Sequence, residues 1–217
     1  MKKIIYSIMA ITAITMASCG AEAEDTKKEG EAGKTDEAKQ EEVKVAAVSG
    51  AYTTTEGATI TWKAKHNKDE DWVHVGTMNV TGSVEVAENA ITSGEFTFDV
   101  ASLNEGDGEY QEMLENHLQD STFFNTAVFP NATFVIGNVT DGKVTGSLEL
   151  LGMTQEIMFD AEITVTEESV TVMGAAVIDL LAFNMPSIVE GNNLPEDKVG
   201  ESPSSAVAVE MNFTLAK

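Results

Sequence analysis

The sequence contains no arginine, one cysteine and only four prolines, and its 13 basic residues, all lysine, stand against 36 acidic ones. A single cysteine excludes an internal disulfide framework and any CxxC metal or redox site. The net charge of −23 at pH 7 argues against DNA, RNA or an anionic bilayer as a partner of the protein surface. Hydrophobic residues make up 42% of the chain, which excludes global disorder and indicates a folded core.

The N-terminus carries the pattern of an export signal. Met1, Lys2 and Lys3 precede an apolar run that ends near Ala17 and is too short and wrongly flanked for a membrane span. The run Met16-Ala17-Ser18-Cys19 resembles a bacterial lipobox, in which cleavage leaves the cysteine to carry acyl chains such as palmitate. We therefore predict a lipoprotein signal peptide over residues 1–18 and an acylated Cys19. An ordinary signal peptide with a stray cysteine is the alternative.

The predicted anchor sets the expected location of the protein. Two or three acyl chains, each stabilised by about 0.8 kcal/mol per buried CH₂, hold a protein on a membrane where a single chain does not. We therefore expect a lipid-anchored protein of the bacterial cell envelope that faces the periplasm or the cell exterior.

The segment after Cys19 differs in composition from the rest of the chain. Residues 20–44 contain no aromatic residue, and Val43 is their only large apolar side chain. Such a segment cannot bury enough surface to offset its ordering entropy, so we expect a flexible charged tether over residues 19–48 and the folded domain over residues 49–217. Residues 45–217 carry six lysines against 27 acidic residues, a balance typical of a solvated anionic outer face.

From residue 50 onward apolar and polar residues alternate with period two, which is typical of half-buried strands. In the first such run Ile60, Trp62 and Ala64 alternate with threonine and lysine. The pattern predicts eight strands, near residues 59–64, 77–86, 95–100, 134–136, 144–150, 157–165, 170–183 and 207–215. Short gaps such as 88–90 and 140–142 are typical of hairpin turns, so neighbouring strands are expected to be antiparallel. No glycine-rich phosphate loop and no strand–helix alternation occur in the sequence, which excludes a Rossmann or P-loop fold.

One segment, residues 109–124, has a helical period instead. Its apolar stripe, at spacings of i, i+3, i+4, i+7 and i+8, consists of Tyr110, Met113, Leu114, His117 and Leu118. Eight antiparallel strands with one apolar face favour a closed barrel, because closure removes the exposed edges, and such a barrel is wide enough for one small ligand. The predicted fold is therefore mainly β, an eight-stranded antiparallel barrel with one inserted amphipathic helix. A packed sandwich is the alternative.

Several stretches carry a resemblance to a known family. They are Val100-Ala101-Ser102-Leu103, the helix end from His117 to Phe124, the run Val128-Phe129-Pro130-Asn131-Ala132-Thr133-Phe134, and the hairpin from Val144 to Thr154. In order and spacing they resemble the YceI-like family of exported polyisoprenoid-binding proteins, over roughly residues 50–216. This chain has Asn125 where the family usually has Asp, Phe129 where it has Tyr, and Leu181-Ala182-Phe183 where it has a late-strand Arg.

The resemblance implies a lipocalin-like barrel whose apolar interior binds or carries a polyisoprenoid, such as a polyprenyl or quinone tail, without catalysis or a cofactor. The aromatic and methionine positions expected to contact that ligand are Trp62, Met78, Phe96, Phe98, Phe134, Phe159, Phe183, Met211 and Phe213. The same side chains suit a solid core equally well, because inward aromatic residues are normally packing residues. A structural or interaction lipoprotein with a packed barrel is therefore the alternative.

A weaker alternative is a metal-binding or catalytic domain. His66 and His74 bracket Asp69, Glu70 and Asp71, which are ligand types that zinc or copper accepts. The spacing of these residues is ordinary for a loop, so the main prediction contains no metal. His117 belongs to the helical stripe and is interpreted as a packing residue. No serine lies in a nucleophile-elbow context, so we predict no enzymatic activity.

Overall fold

The structure is a computed structural model, and it describes residues 47–67, 73–106, 111–195, 198 and 202–217. The predicted signal peptide, Cys19 and nearly all of the predicted tether lie outside the described residues. The strands are β1 (Gly50–Thr54), β2 (Thr59–Lys65), β3 (Val73–Ala87), β4 (Ala90–Asn104), β5 (Asn131–Thr140), β6 (Lys143–Leu150), β7 (Met153–Val165), β8 (Ser169–Asp179) and β9 (Ala206–Ala216). The helices are α1 (Gln111–Gln119), a 3₁₀ turn (Leu180–Phe183) and α2 (Pro186–Asn192).

The strands form one closed antiparallel barrel. Around the barrel the order is β3-β2-β9-β8-β7-β6-β5-β4, and the pairing of β4 with β3 closes the ring. The remaining strand, β1, pairs through Gly50–Thr53 with residues 83–86 of β3, and through Thr53 and Thr54 with residues 215–216 of β9. In β3 and in β9 these residues lie beyond the part that pairs with β2. Nine strand segments thus fill eight positions, with β1 and β2 sharing one. The predicted eight-stranded barrel is confirmed; its eight strands correspond to β2–β9, and β1 has no counterpart among them.

Inward and outward positions follow the alternation of the sequence. Along β3 the side chains of Met78, Val80, Val84 and Val86 are buried or half-buried, and the residues between them are mostly exposed. Period-two alternation places every second side chain on the same face of a strand, so the apolar set of each strand turns inward. Most charged residues on the strands are exposed on the outer face of the barrel.

The two ends of the barrel are built differently. At one end, here called the turn end, β3 and β4 are joined by Glu88 and Asn89, and β5 and β6 by Asp141 and Gly142, all four with positive φ. Two-residue turns with both central residues at positive φ match the twist of antiparallel strands. At the other end, here called the helix end, two of the connections carry α1 and the pair formed by the 3₁₀ turn and α2, and β6 and β7 are joined there by the two-residue turn Leu151-Gly152, also with positive φ.

The turn end is packed closely. Tyr52 of β1 is fully buried and its hydroxyl donates to the backbone oxygen of Thr166 in the β7–β8 turn, at 2.9 Å. The rings of Phe96 and Phe213 meet across the interior with centroids 5.6 Å apart. The chain also enters the barrel at this end, because the Val48 N–H donates to the Asn89 side-chain oxygen at 2.8 Å.

The inserted helix is present but its stripe differs from the prediction. The helix runs over Gln111–Gln119, inside the predicted 109–124, and Glu109 and Tyr110 lie outside the described residues. Met113 is 66% exposed, so its predicted place on the buried stripe is wrong. Only part of the stripe, including Leu114 and Leu118, faces the barrel. The structure also contains the second helix, α2, which the single-helix prediction lacks. Among the described helices, none has the length and apolar character needed to cross a bilayer.

Candidate functional site

A cavity of about 420 Å³ occupies the helix end of the barrel. All strands except β1 contribute to its wall, and α1, α2 and the segments before β5 and β9 surround its opening. Most of the lining side chains are aliphatic or aromatic. Its volume lies within the range of about 300–1,000 Å³ that is common for small-molecule sites. The helix end is therefore hollow where the turn end is packed.

Six of the nine predicted ligand-contacting residues line this cavity. They are Trp62, Met78, Phe98, Phe134, Phe159 and Met211. Phe96 and Phe213 instead line a separate void of about 40 Å³ toward the turn end. Phe183 is buried in the 3₁₀ turn and is part of neither lining. The positions of six residues are thus compatible with contact to a ligand in the cavity, whereas Phe183 lines neither space. Ligand contact remains a prediction for all nine residues.

Four side chains separate the cavity from the small void. Phe98, Phe134, Phe159 and Met211 line both spaces, and we refer to these four as the floor. The rings of Phe134 and Phe159 lie 5.8 Å apart at 52°, a tilted contact typical of aromatic pairs. The floor ends the hollow part of the barrel roughly midway along the strands.

Two inward glycines let aromatic rings lie against the barrel wall. A Cβ added at Gly146 of β6 would lie 2.6 Å from Cζ of Phe134 and 2.3 Å from the Val135 carbonyl oxygen. A Cβ at Gly76 of β3 would lie 2.4 Å from the indole of Trp62, the residue paired with Gly76 on β2. Because these positions lack side chains, the neighbouring rings occupy the space beside the wall and leave the lumen open.

The opening is bordered by residues that the ligand prediction did not include. Leu114 and Leu118 of α1, together with Phe123 and Phe124 just after it, face the cavity. The helical period was the signal for the two leucines. Aliphatic residues such as Ile157 complete the wall. The period-two pattern of their strands predicts that these side chains point into the barrel, but it does not predict that they face an empty space.

All three histidines of the chain also line the cavity. His74 Nδ1 hydrogen-bonds to Oε1 of Glu105, a carboxylate that is 9% exposed as a residue. The ring of His66 lies 6.1 Å from that of His74. Within the described residues, no group of three or more histidine, cysteine, aspartate or glutamate side chains is arranged to hold a metal ion. Asp69, Glu70 and Asp71, on which the metal alternative also depends, lie outside the described residues.

His117 borders the opening rather than filling a core position. Its ring meets Phe123 edge-on at 4.9 Å, and its Nδ1 lies 3.1 Å from Oδ2 of Asp120. Its side chain is 55% exposed, so His117 contacts Phe123 but is not the buried packing residue that its place on the stripe suggested. The side chain and the backbone N–H of Thr122 both donate to Asp120, and these hydrogen bonds hold the pKa of its carboxyl below the ordinary value.

Comparison with known proteins identifies the chain's relatives. Residues 52–215 match the profile of the YceI-like domain. A UPF0312 protein of Staphylococcus aureus strain MRSA252 is 43% identical over 51 residues, which cover 24% of this chain and 30% of that protein. The matched stretch thus spans less than a third of the curated relatives' length.

Two solved structures share the fold. The crystal structure of Burkholderia cenocepacia BcnA superposes with a TM-score of 0.56 and 21% identity, covering 72% of this chain and 95% of that one. A polyisoprenoid binding domain from Saccharophagus degradans, implicated in plant cell wall breakdown, gives a TM-score of 0.56 at 13% identity, covering 76% and 97%. At these identities the likeness concerns the architecture of the barrel.

Proposed function

The chain belongs to the YceI-like domain family, and on that premise we propose that it binds or carries a polyisoprenoid or a similar amphiphilic lipid, with the apolar tail in the cavity at the helix end. One solved structure of similar fold is described as a polyisoprenoid binding domain, which supports this choice of ligand class. A quinone-like lipid with an isoprenoid tail belongs to the same class.

The observation that carries the proposal is the cavity of about 420 Å³ and its apolar wall. Burying about 500 Å² of ligand surface at about 25 cal/mol/Å² contributes roughly 12 kcal/mol before ordering costs, so an apolar site alone supports tight binding. The competing prediction of a solid barrel core does not account for an empty space of this size. No catalytic group is needed for this function.

We further propose that the protein is a lipoprotein of the bacterial cell envelope, anchored through acyl chains on Cys19. The sequence Met16-Ala17-Ser18-Cys19 and the apolar run before it support this. The first described residues lie at the turn end of the barrel, where the Val48 N–H donates to the Asn89 side-chain oxygen.

Native mass spectrometry of the untagged protein purified from its own host tests the binding proposal. We expect a mass shift equal to one lipid, and organic extraction is expected to release a prenyl lipid of the same mass. A clean apo mass, together with failure of the purified protein to take up any apolar probe, would contradict the proposal. In the same spectrum, a mass that matches cleavage before Cys19 plus acyl chains supports the anchor, and an intact or unacylated N-terminus opposes it.

A further inference from the structure

The interior of the barrel is divided into two spaces along its axis. The cavity of about 420 Å³ lies nearest the opening, and the void of about 40 Å³ lies below it. The floor separates the two spaces, and its four side chains, Phe98, Phe134, Phe159 and Met211, come from β4, β5, β7 and β9. Because these strands are spread around the ring, the floor narrows the interior from several directions.

The space below the floor is too small for an isoprene unit. Apolar cavities that take up benzene, a six-carbon ring, measure about 150 Å³, so a five-carbon unit does not fit into a void of about 40 Å³. The rings of Phe96 and Phe213, 5.6 Å apart, line this void. Beyond them the side chains of Tyr52, Val170 and Leu215 are completely buried in the turn end. A tail that enters at the opening therefore meets a closed end.

The strands give the depth of the cavity. On β9 its lining extends from Val207 to Met211 of the floor, and on β2 it extends from Ala64 to Ile60, which pairs with Met211. Four residues at about 3.3 Å per residue correspond to about 13 Å along a strand. Strands of small barrels tilt by about 35–45° from the barrel axis, so the depth along the axis is about 10 Å. Side chains of α1, such as Leu118, extend the wall at the opening.

An isoprenoid tail is measured on the same scale. Each unit adds four carbon–carbon bonds of about 1.5 Å to the chain, or roughly 5 Å when the chain is extended. A depth of about 10 Å, together with the wall that α1 adds, accommodates about three units. The cavity volume of about 420 Å³ lies toward the lower end of the range of about 300–1,000 Å³ for small-molecule sites, which agrees with a short tail.

We propose that the floor restricts the ligand to a short tail, so that the barrel binds isoprenoid lipids with about three isoprene units. This inference rests on the proposed lipid-binding function and specifies the ligand class within it. The limit is steric, since Phe98, Phe134, Phe159 and Met211 occupy the space that a fourth unit needs. Units beyond the third remain in water at the opening and contribute little to binding.

The floor also shows where the limit can be moved. Phe98 lines both spaces, so removal of its ring is expected to join the cavity with the void. The void extends to Phe213, two residues beyond Met211 on β9, which is about 7 Å further along the strand. The joined space is therefore long enough for about one more isoprene unit.

A series of prenols with the same hydroxyl head tests the limit on the delipidated full-length protein. Prenols of two, three, four and six isoprene units are mixed in equal amounts with the protein, and native mass spectrometry measures the occupancy of each. Because each added unit buries about five more carbon atoms, we expect three units to bind at least tenfold more tightly than two, and four or six units to bind no more tightly than three. Affinity that rises by the same factor with every unit up to six would overturn the inference.

Variants assign the limit to the floor. We expect Phe98→Ala to tighten binding of the four-unit prenol about tenfold relative to the three-unit prenol. Addition of Ile163→Phe, which refills the void, is expected to return the limit to three units. Phe124 lines the cavity but not the void, so Phe124→Ala is expected to weaken binding of all prenols by a similar factor. An unchanged length preference in Phe98→Ala would overturn the role of the floor.

The prenol series also separates this inference from the function on which it rests. Affinity that keeps rising with tail length overturns the length limit and leaves the proposed lipid-binding function standing. Failure of every prenol to bind overturns both. The series on the unmodified protein needs no variant, so it decides the matter even where a substitution in the floor prevents folding.

Discussion

The two ends of this barrel share one strand pattern and differ in what fills them. Toward the turn end the inward space is filled by paired rings, Phe96 against Phe213, and a void of only about 40 Å³ remains. Toward the helix end the same alternation leaves about 420 Å³. Inward glycines lie beside aromatic rings at both ends, Gly76 beside Trp62 at the helix end and Gly82 beside Phe96 at the turn end, so they do not by themselves explain the difference. Apolar inward residues alone therefore do not determine whether a barrel is solid or hollow. The size and placement of the side chains at each level decide it.

The connections reinforce this difference. Only short turns join the strands at the turn end, whereas α1, the 3₁₀ turn and α2 border the helix end without filling it, beside the two-residue β6–β7 turn. The polar residues of the lining are found only at the helix end of the described structure. Stability is thus expected to depend mainly on the turn end, and binding mainly on the helix end.

The largest expected effect is on stability at the turn end. Phe213→Ala removes a buried ring from close packing, and we expect a loss of about 3–5 kcal/mol in the free energy of unfolding. Phe124→Ala, at the cavity opening, removes a half-buried ring that faces existing space, and about 1–2 kcal/mol is expected. Urea unfolding at constant m-value measures both. Equal losses would contradict the difference between the ends.

A glycine substitution tests how the rings are held against the wall. Gly146→Ala forces a Cβ into the Phe134 ring and the Val135 carbonyl oxygen, and we expect a loss of about 1–3 kcal/mol with weaker lipid uptake. Gly137→Ala, near it on β5, meets its nearest atom at 3.4 Å, and a change within about 0.5 kcal/mol is expected. Thermal unfolding and probe binding report both quantities. A neutral Gly146→Ala would show that the wall has room for the side chain.

Two isoleucines on one strand separate binding from stability. Ile157 and Ile163 both lie on the inward face of β7 and are half-buried, but Ile157 lines the cavity and Ile163 the small void. We expect Ile157→Phe to occupy ligand space and weaken lipid binding about tenfold, with little change in stability. Ile163→Phe is expected to overpack the turn end, costing about 1–3 kcal/mol of stability with binding retained. The reverse pattern would place the ligand at the turn end.

The smallest effect concerns pH at the helix end. The Thr122 hydrogen bonds hold the pKa of Asp120 below its ordinary value of about 3.9, so the ionised carboxylate contributes stability above that value. This contribution is lost as the pH falls through the lowered pKa. We therefore expect a small extra loss of thermal stability below about pH 4 in the parent protein, and its absence in Asp120→Asn. Identical acid profiles for the two proteins would argue against this role.

Much of the architecture follows from the sequence. Alternation with period two predicts β2–β9, because it identifies the inward face of each strand directly, and the short gaps between strands predict their antiparallel pairing. The same pattern does not predict the five-residue strand β1, because Tyr52 is its only fully buried residue and no alternation is visible. β1 and β2 share one position in the barrel because of the register in which they pair with β3 and β9. A single sequence contains no information on the register between strands so far apart in the chain.

The site is less predictable than the fold. Alternation indicates which side chains point inward but not how high along the barrel axis they lie, so Trp62 and Phe213 look equivalent in the sequence although they line different spaces. Phe183 lies in a 3₁₀ turn rather than on a strand, and its aromatic character alone suggested a ligand role. The contact between His74 and Glu105 joins positions 31 residues apart and becomes visible only in three dimensions.

The most direct test is a titration of isoleucine-methyl-labelled protein with farnesyl benzoquinone, followed by NMR. The methyl groups of Ile157, Ile178 and Ile188 line the cavity, whereas those of Ile91, Ile136 and Ile163 line the void at the turn end. The account predicts saturable shifts and intermolecular NOEs for the first three, with the second three nearly unchanged. Shifts confined to the second three, or no saturable shift at all, would contradict a ligand site at the helix end.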